Sequence, residues 1–93
     1  MLFLSLISIE KNAAITTCKA DLKITVTQCA AYLAANSSAS DCSGQYLTAT
    51  QNADPINLSV NSTTSEITGT ANCQGAANGF TCRYYSNGSI ECF

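Results

Sequence analysis

Six cysteines in a chain of 93 residues constrain the fold more than any other feature of this sequence. A domain of this size buries only about 60–65% of the surface of its unfolded chain, so it commonly needs cross-links to be stable. We therefore expect three intramolecular disulfide bridges and no free thiol, in a protein that matures in an oxidising compartment. The cysteines are Cys18, Cys29, Cys42, Cys73, Cys82 and Cys92.

A metal site is the alternative use of these cysteines. Zinc sites usually contain closely spaced pairs such as C-x-x-C, because one tight turn then directs two thiolates at the same ion. Here the gaps between successive cysteines hold 10, 12, 30, 8 and 9 residues, and the chain contains no histidine. The spacing favours disulfides, so we expect no metal and no cofactor. The pairing of the cysteines stays open.

The first residues form the most apolar stretch of the chain. Residues 2–9 have the length of the hydrophobic region of a signal peptide and are far too few to span a bilayer. No basic residue precedes them, and Asn12 is unsuited to a position three before a cut after Ala14. Two interpretations of residues 1–12 stay open: a signal-peptide remnant, which the pattern favours, or a first β-strand. Residues 13–93 are predicted to form a single disulfide-rich domain.

One helix is predicted over residues 21–35. Asp21 is a suitable N-cap, the Ala-rich second half has high helix propensity, and residues 36–38 end the helix. The β-branched residues 24–27 favour a strand instead, so the second half is the more strongly predicted. Apolar residues recur on one helical face at Leu22, Val26, Cys29 and Leu33.

Several strands are predicted around this helix. Residues 13–19 alternate weakly, residues 56–60 alternate strictly between apolar and polar, and Gly69 suggests a bulge within the strand that contains it. The predicted strands are 13–19, 44–50, 56–60 and 66–73, and the predicted turns are 52–55 and 61–64.

The C-terminal end predicts two consecutive hairpins, because Asn78-Gly79 and Asn87-Gly88 flank a strand-like run at residues 80–85. Two registers are available for the second hairpin. We prefer a three-residue loop at 86–88, because it places Cys82 opposite Cys92. This register gathers Phe80, Cys82, Tyr84, Ile90 and Cys92 on one face.

The elements together predict a small disulfide-stapled α+β domain. Its antiparallel sheet would end in a C-terminal β-meander, and the single helix would pack on one face of that sheet. Cys29, on the apolar face of the helix, is the residue we expect to tie the helix to the sheet.

Catalysis near neutral pH most often uses histidine, whose charge changes in that range. The chain has none, which excludes serine and cysteine triads and histidine-based metal hydrolysis. A carboxylate pair is the remaining candidate, and Glu66 and Glu91 are the two acids within predicted strands. Both are better explained as solvent-facing residues, since so small a domain is not expected to hold a substrate cleft. We therefore expect no catalytic residues and no enzyme activity.

Charge argues against two classes of partner. Nucleic-acid binding requires clustered cations, and attraction to anionic lipid requires many of them. The chain has four basic residues against six acidic ones, a net charge of −2. We therefore expect no nucleic-acid binding, and a membrane-active toxin ranks only third among the functions considered. The four basic residues, Lys11, Lys19, Lys23 and Arg83, are scattered along the chain.

The best candidate for a binding surface is Arg83-Tyr84-Tyr85, because tyrosine and arginine are enriched in interface hot spots. By strand alternation, Arg83 and Tyr85 share one face and Tyr84 lies on the other. Four N-x-S/T sequons are candidates for N-glycosylation. Their asparagines are Asn36, Asn57, Asn61 and Asn87.

The apolar leader, the six spaced cysteines, the few charges and the many Ser, Thr and Asn residues resemble the small secreted cysteine-rich proteins of fungi. Many of those act as effectors or elicitors at a host surface. The resemblance covers the whole chain and rests on composition and cysteine number. The chain lacks the eight-cysteine pattern of hydrophobins, and its single predicted helix differs from the two of killer-toxin-like effectors. The resemblance implies an extracellular protein and transfers no functional residue.

The function predicted from these observations is non-catalytic binding of a host or cell-wall target, which is an extracellular protein or polysaccharide. The alternative is an inhibitor of a secreted protease or glycosidase. Such an inhibitor would present the loop between Cys73 and Cys82, since a preorganised loop loses little entropy on binding.

Overall fold

The structure is a computed structural model that describes the backbone of residues 2–93 and the side chains of residues 11–93. A long helix precedes a four-stranded antiparallel sheet with the strand order β1-β2-β3-β4. The predicted α+β fold with a β-meander is confirmed. The elements are α1 (Leu2–Ala35), β1 (Ala53–Val60), β2 (Ile67–Cys73), a 3₁₀ turn (Gly75–Ala77), β3 (Thr81–Tyr84) and β4 (Ile90–Cys92).

Helix α1 is much longer than the sequence predicted. It contains 34 residues, a length of about 51 Å at 1.5 Å per residue. The predicted strand at 13–19 is wrong, and the alternative of a strand within residues 1–12 is replaced by helix. Asp21 therefore lies inside the helix and is not an N-cap. Whether residues 1–12 include a leader stays a prediction, and the side chains of residues 1–10 lie outside those described.

Threonine side chains explain how α1 tolerates its β-branched run. Their hydroxyl groups donate to the carbonyl oxygen four residues earlier, which is the alternative partner that a helix offers to threonine. Thr25 donates to the Asp21 carbonyl at 2.8 Å, and Thr27 donates to the Lys23 carbonyl at 2.9 Å. Thr16 and Thr17 do the same a little more than one turn before Asp21. The β propensity of this run is therefore overridden by local hydrogen bonds and by burial.

One stripe of α1 packs against the sheet. The predicted face is confirmed, because Leu22, Val26 and Cys29 are buried while Leu33 is half-buried against the core. Thr25 extends this stripe as a fully buried polar residue whose hydroxyl is satisfied within the helix. The helix ends as predicted after Ala35, where the Asn36 side-chain amide donates to the Tyr32 carbonyl at 2.9 Å.

Strands β1 and β2 form the longest antiparallel pair. Their register runs from Val60 opposite Ile67 to Ala53 opposite Cys73, with one irregularity between Ala53 and Ile56. The predicted turn at 52–55 is therefore wrong from Ala53 onward, because the chain already pairs with β2 there. The irregularity surrounds Pro55, which has no N–H to donate to a ladder. The predicted turn at 61–64 is confirmed, and β2 begins at Ile67, one residue after the predicted start.

Gly69 does not form the predicted bulge. It pairs regularly with Leu58 on one side and with Tyr84 on the other. A Cβ atom at Gly69 would collide with Cδ2 of Leu58 and would approach the Asn57 carbonyl oxygen at 3.0 Å. The glycine is therefore explained by crowding, because the Leu58 side chain occupies the space above it.

The second hairpin has the predicted register. Cys82 pairs with Cys92, Arg83 with Glu91 and Tyr84 with Ile90, and Gly88 has the positive φ of 92° expected in a three-residue loop. All five residues of the predicted apolar face belong to the core or pack against it, while Arg83 and Glu91 are exposed. Alternation of side chains in this hairpin thus separates an inner face from an outer one.

A connecting segment, residues 36–52, joins α1 to β1 without regular secondary structure. The predicted strand at 44–50 is wrong. Isolated hydrogen bonds hold this segment instead. The Leu47 amide donates to Gln28 Oε1 at 3.0 Å, the Leu58 amide donates to Tyr46 Oη at 3.4 Å, and the Ile56 amide donates to the Thr48 carbonyl at 2.8 Å. Single contacts therefore replace the ladder that alternation predicted.

All six cysteines form disulfides, which confirms the prediction of three bridges, and no cysteine of the chain is free. Five of them are buried, so the cystines supply much of a core that has few large side chains. Cys29 does not tie the helix to the sheet, because its partner lies in the connecting segment; Cys18 has that role. The pairs are Cys18–Cys73, Cys29–Cys42 and Cys82–Cys92.

Candidate functional site

The outer face of the sheet, which faces away from α1, carries polar side chains on every strand. Register places Asn57, Thr70, Arg83 and Glu91 in one row across β1, β2, β3 and β4. Ser59 and Thr68 form a second pair on the first two strands. Since side chains alternate along a strand, these residues share one surface while their neighbours face the core.

A shallow groove of about 410 Å³ runs over this face. Its walls combine hydroxyl and amide side chains with Arg83 and the ring of Tyr85. The three predicted binding residues, Arg83, Tyr84 and Tyr85, all line it, although Tyr84 also packs its half-buried side chain against the core. The remaining walls come from Asn57, Ser59 and residues 68–70.

Neighbouring side chains position Arg83 and Tyr85. The guanidinium carbon of Arg83 lies 5.8 Å from the ring centroid of Phe93, a cation–π distance, and Phe93 is 61% exposed. The phenol of Tyr85 lies 3.3 Å from a Glu91 carboxylate oxygen, to which it donates. Glu91 is also the cross-strand partner of Arg83. Glu91 and Phe93 therefore lie beside the groove and hold two of the residues that line it.

The two carboxylates considered for catalysis are not brought together. Glu91 pairs with Arg83, which pairs in turn with Thr70 of β2. Glu66 lies four residues before Thr70, just ahead of the start of β2. That separation is about 13 Å along the strand and about 9.5 Å across two strand spacings. Carboxylate pairs that hydrolyse glycosides are about 5–9.5 Å apart, so this pair does not have that geometry. Both residues are exposed, as expected.

Asp21 has a role that the sequence did not indicate. Its carboxylate accepts from the Thr50 hydroxyl at 2.9 Å and from the Asn52 amide group at 3.5 Å. The Thr50 oxygen in turn accepts from the backbone amides of Asn52 and Ala53. These bonds attach the end of the connecting segment to the middle of α1. The one signal in the sequence was that Asp21 directly precedes Leu22, which lies on the predicted apolar face of the helix, so that Asp21 was expected near the core.

The four sequon asparagines lie in different settings, all exposed. Asn36 caps the end of α1, while Asn61 and Asn87 use their side-chain oxygens to accept backbone amides within their own turns. Asn57 is different, because it lines the groove on the outer face of the sheet. A glycan at Asn57 would therefore occupy the candidate binding surface, and glycans on the other three would not share that groove.

The loop between Cys73 and Cys82, predicted as an inhibitory loop, packs against the helix. Ala77 in its 3₁₀ turn is fully buried, and the Lys11 ammonium lies 4.7 Å from the ring centroid of Phe80. Gly79 adopts a positive φ of 100° within a turn closed by a bond from the Phe80 amide to the Ala77 carbonyl. Part of this loop is thus committed to contacts within the domain.

No protein-family model matches the sequence, and searches of curated proteins and of solved structures found no match to it. Within the described part of the chain, no helix combines the length and the apolar character needed to cross a bilayer. The three disulfides are compatible with an extracellular protein. The site must therefore be interpreted from its own chemistry.

Proposed function

We propose that this chain is a non-catalytic secreted protein, similar in role to fungal effectors and elicitors, that binds a cell-wall or host-surface polysaccharide through the outer face of its sheet. The observation that carries the proposal is the groove bordered by Arg83, Tyr85 and the Asn57–Thr70 pair. Binding residues on strands are held more rigidly than residues on loops, and rigidity reduces the entropy lost on binding.

The composition of the groove favours a polysaccharide over a protein. Arginine and tyrosine also occur at protein interfaces, but the cores of those interfaces are depleted in serine, whereas Ser59, Thr68 and Thr70 offer hydroxyl groups here. Hydroxyl and amide groups both donate and accept hydrogen bonds, which matches a chain of sugar hydroxyls. The ring of Tyr85 adds an apolar surface beside these groups, against which the C–H face of a sugar ring can lie.

The inhibitor alternative receives less support. A loop that enters an enzyme cleft must project from its domain, whereas the loop between Cys73 and Cys82 buries its own residue Ala77 and packs Phe80 against Lys11 of α1. The separation of Glu66 from Glu91 likewise supports a binding role over glycoside hydrolysis. Glycosylation of Asn57 would compete with the proposed ligand, so the proposal requires this sequon to be unoccupied when the target is bound.

Co-sedimentation with insoluble chitin, β-glucan and cellulose tests the proposal, using protein whose mass shows no glycan. We expect one of these polymers to bind the protein, and Arg83→Ala and Tyr85→Ala to weaken that binding by at least about tenfold, the effect of losing one hot-spot side chain. Lys19→Ala is the matched control, because it removes an exposed cation from the helix and should leave binding unchanged.

Two results would overturn this assignment. Equal binding by the Arg83→Ala protein and the Lys19→Ala protein would remove the outer face as the site. Failure to bind any polysaccharide, together with saturable binding of a single purified extracellular protein that Arg83→Ala abolishes, would keep the surface and replace the ligand class.

A further inference from the structure

A second groove lies on the outer face of the sheet, beside the groove that Arg83 borders, which is called the first groove here. After Thr70 and Arg83, the next outward-facing pair on β2 and β3 is Asn72 and Thr81. A groove of about 240 Å³ lies over this pair and continues onto the loop that follows β2. We name it the amide groove, because side-chain amides supply most of its polar groups. Its polar side chains are Asn72, Gln74, Asn78 and Thr81.

Hydrogen bonds within the domain hold two of these amides. Nε2 of Gln74 donates to the Asp54 carbonyl at 2.6 Å, so the Oε1 atom of the same amide can accept from a ligand. The Thr81 hydroxyl donates to Oδ1 of Asn72 at 3.4 Å, so the Nδ2 atom of Asn72 can donate to one. The amide groove therefore offers a fixed acceptor and a fixed donor. A sugar hydroxyl both donates and accepts, and groups that are already fixed lose little entropy on binding it.

An exposed aromatic ring lies on the same face, level with the amide groove. The backbones of Phe93 and Thr81 exchange two hydrogen bonds of 2.9 Å, which places Phe93 directly opposite Thr81. The Phe93 ring is 61% exposed, and the Arg83 guanidinium lies 5.8 Å from its centroid. Tyr85, which lines the first groove, is four residues from Thr81, a distance of about 13 Å along β3. The outer face thus has one aromatic ring near each groove.

We propose that the two grooves bind one polysaccharide chain, which runs along β2 and β3 from Tyr85 to Phe93 and contacts several consecutive sugar units. This inference rests on the proposed function and adds a second subsite to it. The Thr70–Arg83 and Asn72–Thr81 pairs are successive outward positions, so the first groove continues into the amide groove. One sugar ring cannot stack on both aromatic side chains, because they are too far apart. A ligand that contacts both must therefore be a chain.

The dependence of affinity on chain length tests this inference. The probes are the disaccharide and the hexasaccharide of chitin, β-glucan and cellulose, titrated into the protein by calorimetry. For the sugar series that binds, we expect the hexasaccharide to bind at least about tenfold more tightly than the disaccharide, because only the longer probe reaches both grooves. In NMR spectra, the hexasaccharide should shift the backbone amide signals of Gly79 and Thr81, which line the amide groove.

Asn78→Ala is the deciding variant. It should weaken hexasaccharide binding about threefold to tenfold, the effect of losing one or two hydrogen bonds. The fold should tolerate it, because the backbone amide of Asn78 closes the 3₁₀ turn by donating to the Gly75 carbonyl at 3.1 Å. Phe93→Ala should weaken hexasaccharide binding at least about tenfold, but it also removes the cation–π partner of Arg83 and is therefore less specific.

Two exposed residues of the connecting segment, outside both grooves, provide matched controls. Gln45→Ala removes an amide and Leu47→Ala removes an apolar side chain, and both should leave binding unchanged. The inference is overturned if the hexasaccharide binds no more tightly than the disaccharide, or if the Asn78→Ala and Gln45→Ala proteins bind it equally. The proposed function survives either result if Arg83→Ala still weakens binding. Absence of any saccharide binding by the wild-type protein would overturn both.

Discussion

The C-terminal hairpin and the connecting segment are held by different kinds of interaction. In the hairpin, the β3–β4 backbone ladder, the Cys82–Cys92 bridge and the inward-facing side chains all specify the same register. In segment 36–52 no ladder forms, and the chain is held by the Cys29–Cys42 bridge, by side chains of α1 and by single bonds from backbone amides of β1. Backbone pairing repeats along a strand and is readable from alternation, whereas single side-chain contacts between distant residues are not.

The cystines should have the largest effect on stability: one closes each of these two regions, and Cys18–Cys73 joins α1 to β2. Their order of importance follows from the lengths of chain that they close. Removing Cys18–Cys73, which spans 55 residues, by paired alanine substitution should cost about 4 kcal/mol in the free energy of unfolding. Removing Cys29–Cys42 or Cys82–Cys92, which span 13 and 10 residues, should cost about 3 kcal/mol each. Urea unfolding followed by circular dichroism measures all three. A Cys18–Cys73 variant as stable as the other two would contradict this ranking.

Complete reduction is the extreme case of the same prediction. The oxidised mass should lie about 6 Da below the reduced mass, since each bridge lacks two hydrogens. With reductant, the native circular dichroism should be lost at room temperature, because the small core alone does not offset the chain entropy. A reduced protein with an unchanged melting point would show that the bridges do not hold the fold.

The next largest effect should come from the inner face of the sheet. Gly69→Ala places a Cβ against Leu58 Cδ2 and should destabilise the protein by about 1–3 kcal/mol, the usual cost of overpacking. Leu58→Ala opens that space, so the double variant should be more stable than the sum of the two single effects. Thermal unfolding of the three variants measures the coupling. Strict additivity would show that Leu58 is not the reason for the glycine.

The sequence predicted best where the physical rule is local. Glycine at residue 88 and alternation from Phe80 to Cys92 were enough to choose the hairpin register correctly. The helical face of Leu22, Val26 and Cys29 was equally readable, because its period does not depend on the rest of the chain. The candidate binding residues Arg83 and Tyr85 were placed on a common face for the same reason.

Prediction failed where distant residues decide the structure. Residues 13–19 alternate like a strand but continue α1, because Cys18 and Leu22 are buried by the sheet. Spacing along the chain gave no sign that Cys18, Cys73 and Cys82 converge, since each comes from a different element. The groove could not be predicted from the sequence either, because it forms only when Asn57 pairs with Thr70 and Thr70 pairs with Arg83.

The smallest effect should come from the contacts that hold the connecting segment. Asp21→Ala removes the nearer of the two acceptors of the Thr50 hydroxyl, the other being the Ala53 carbonyl at 3.2 Å, and should cost about 1 kcal/mol because the lost bond is partly buried and charge-assisted. Hydrogen exchange at the Asn52 and Ala53 amides, which donate to Thr50, should then rise about fivefold as the segment opens locally. Gln28→Ala is the control. It removes an exposed acceptor that water can replace, so it should cost less than about 0.5 kcal/mol. If Asp21→Ala leaves exchange at both amides unchanged, the Asp21 carboxylate does not anchor this segment. The Cys29–Cys42 bridge and the backbone bonds to β1 would then hold the segment without it.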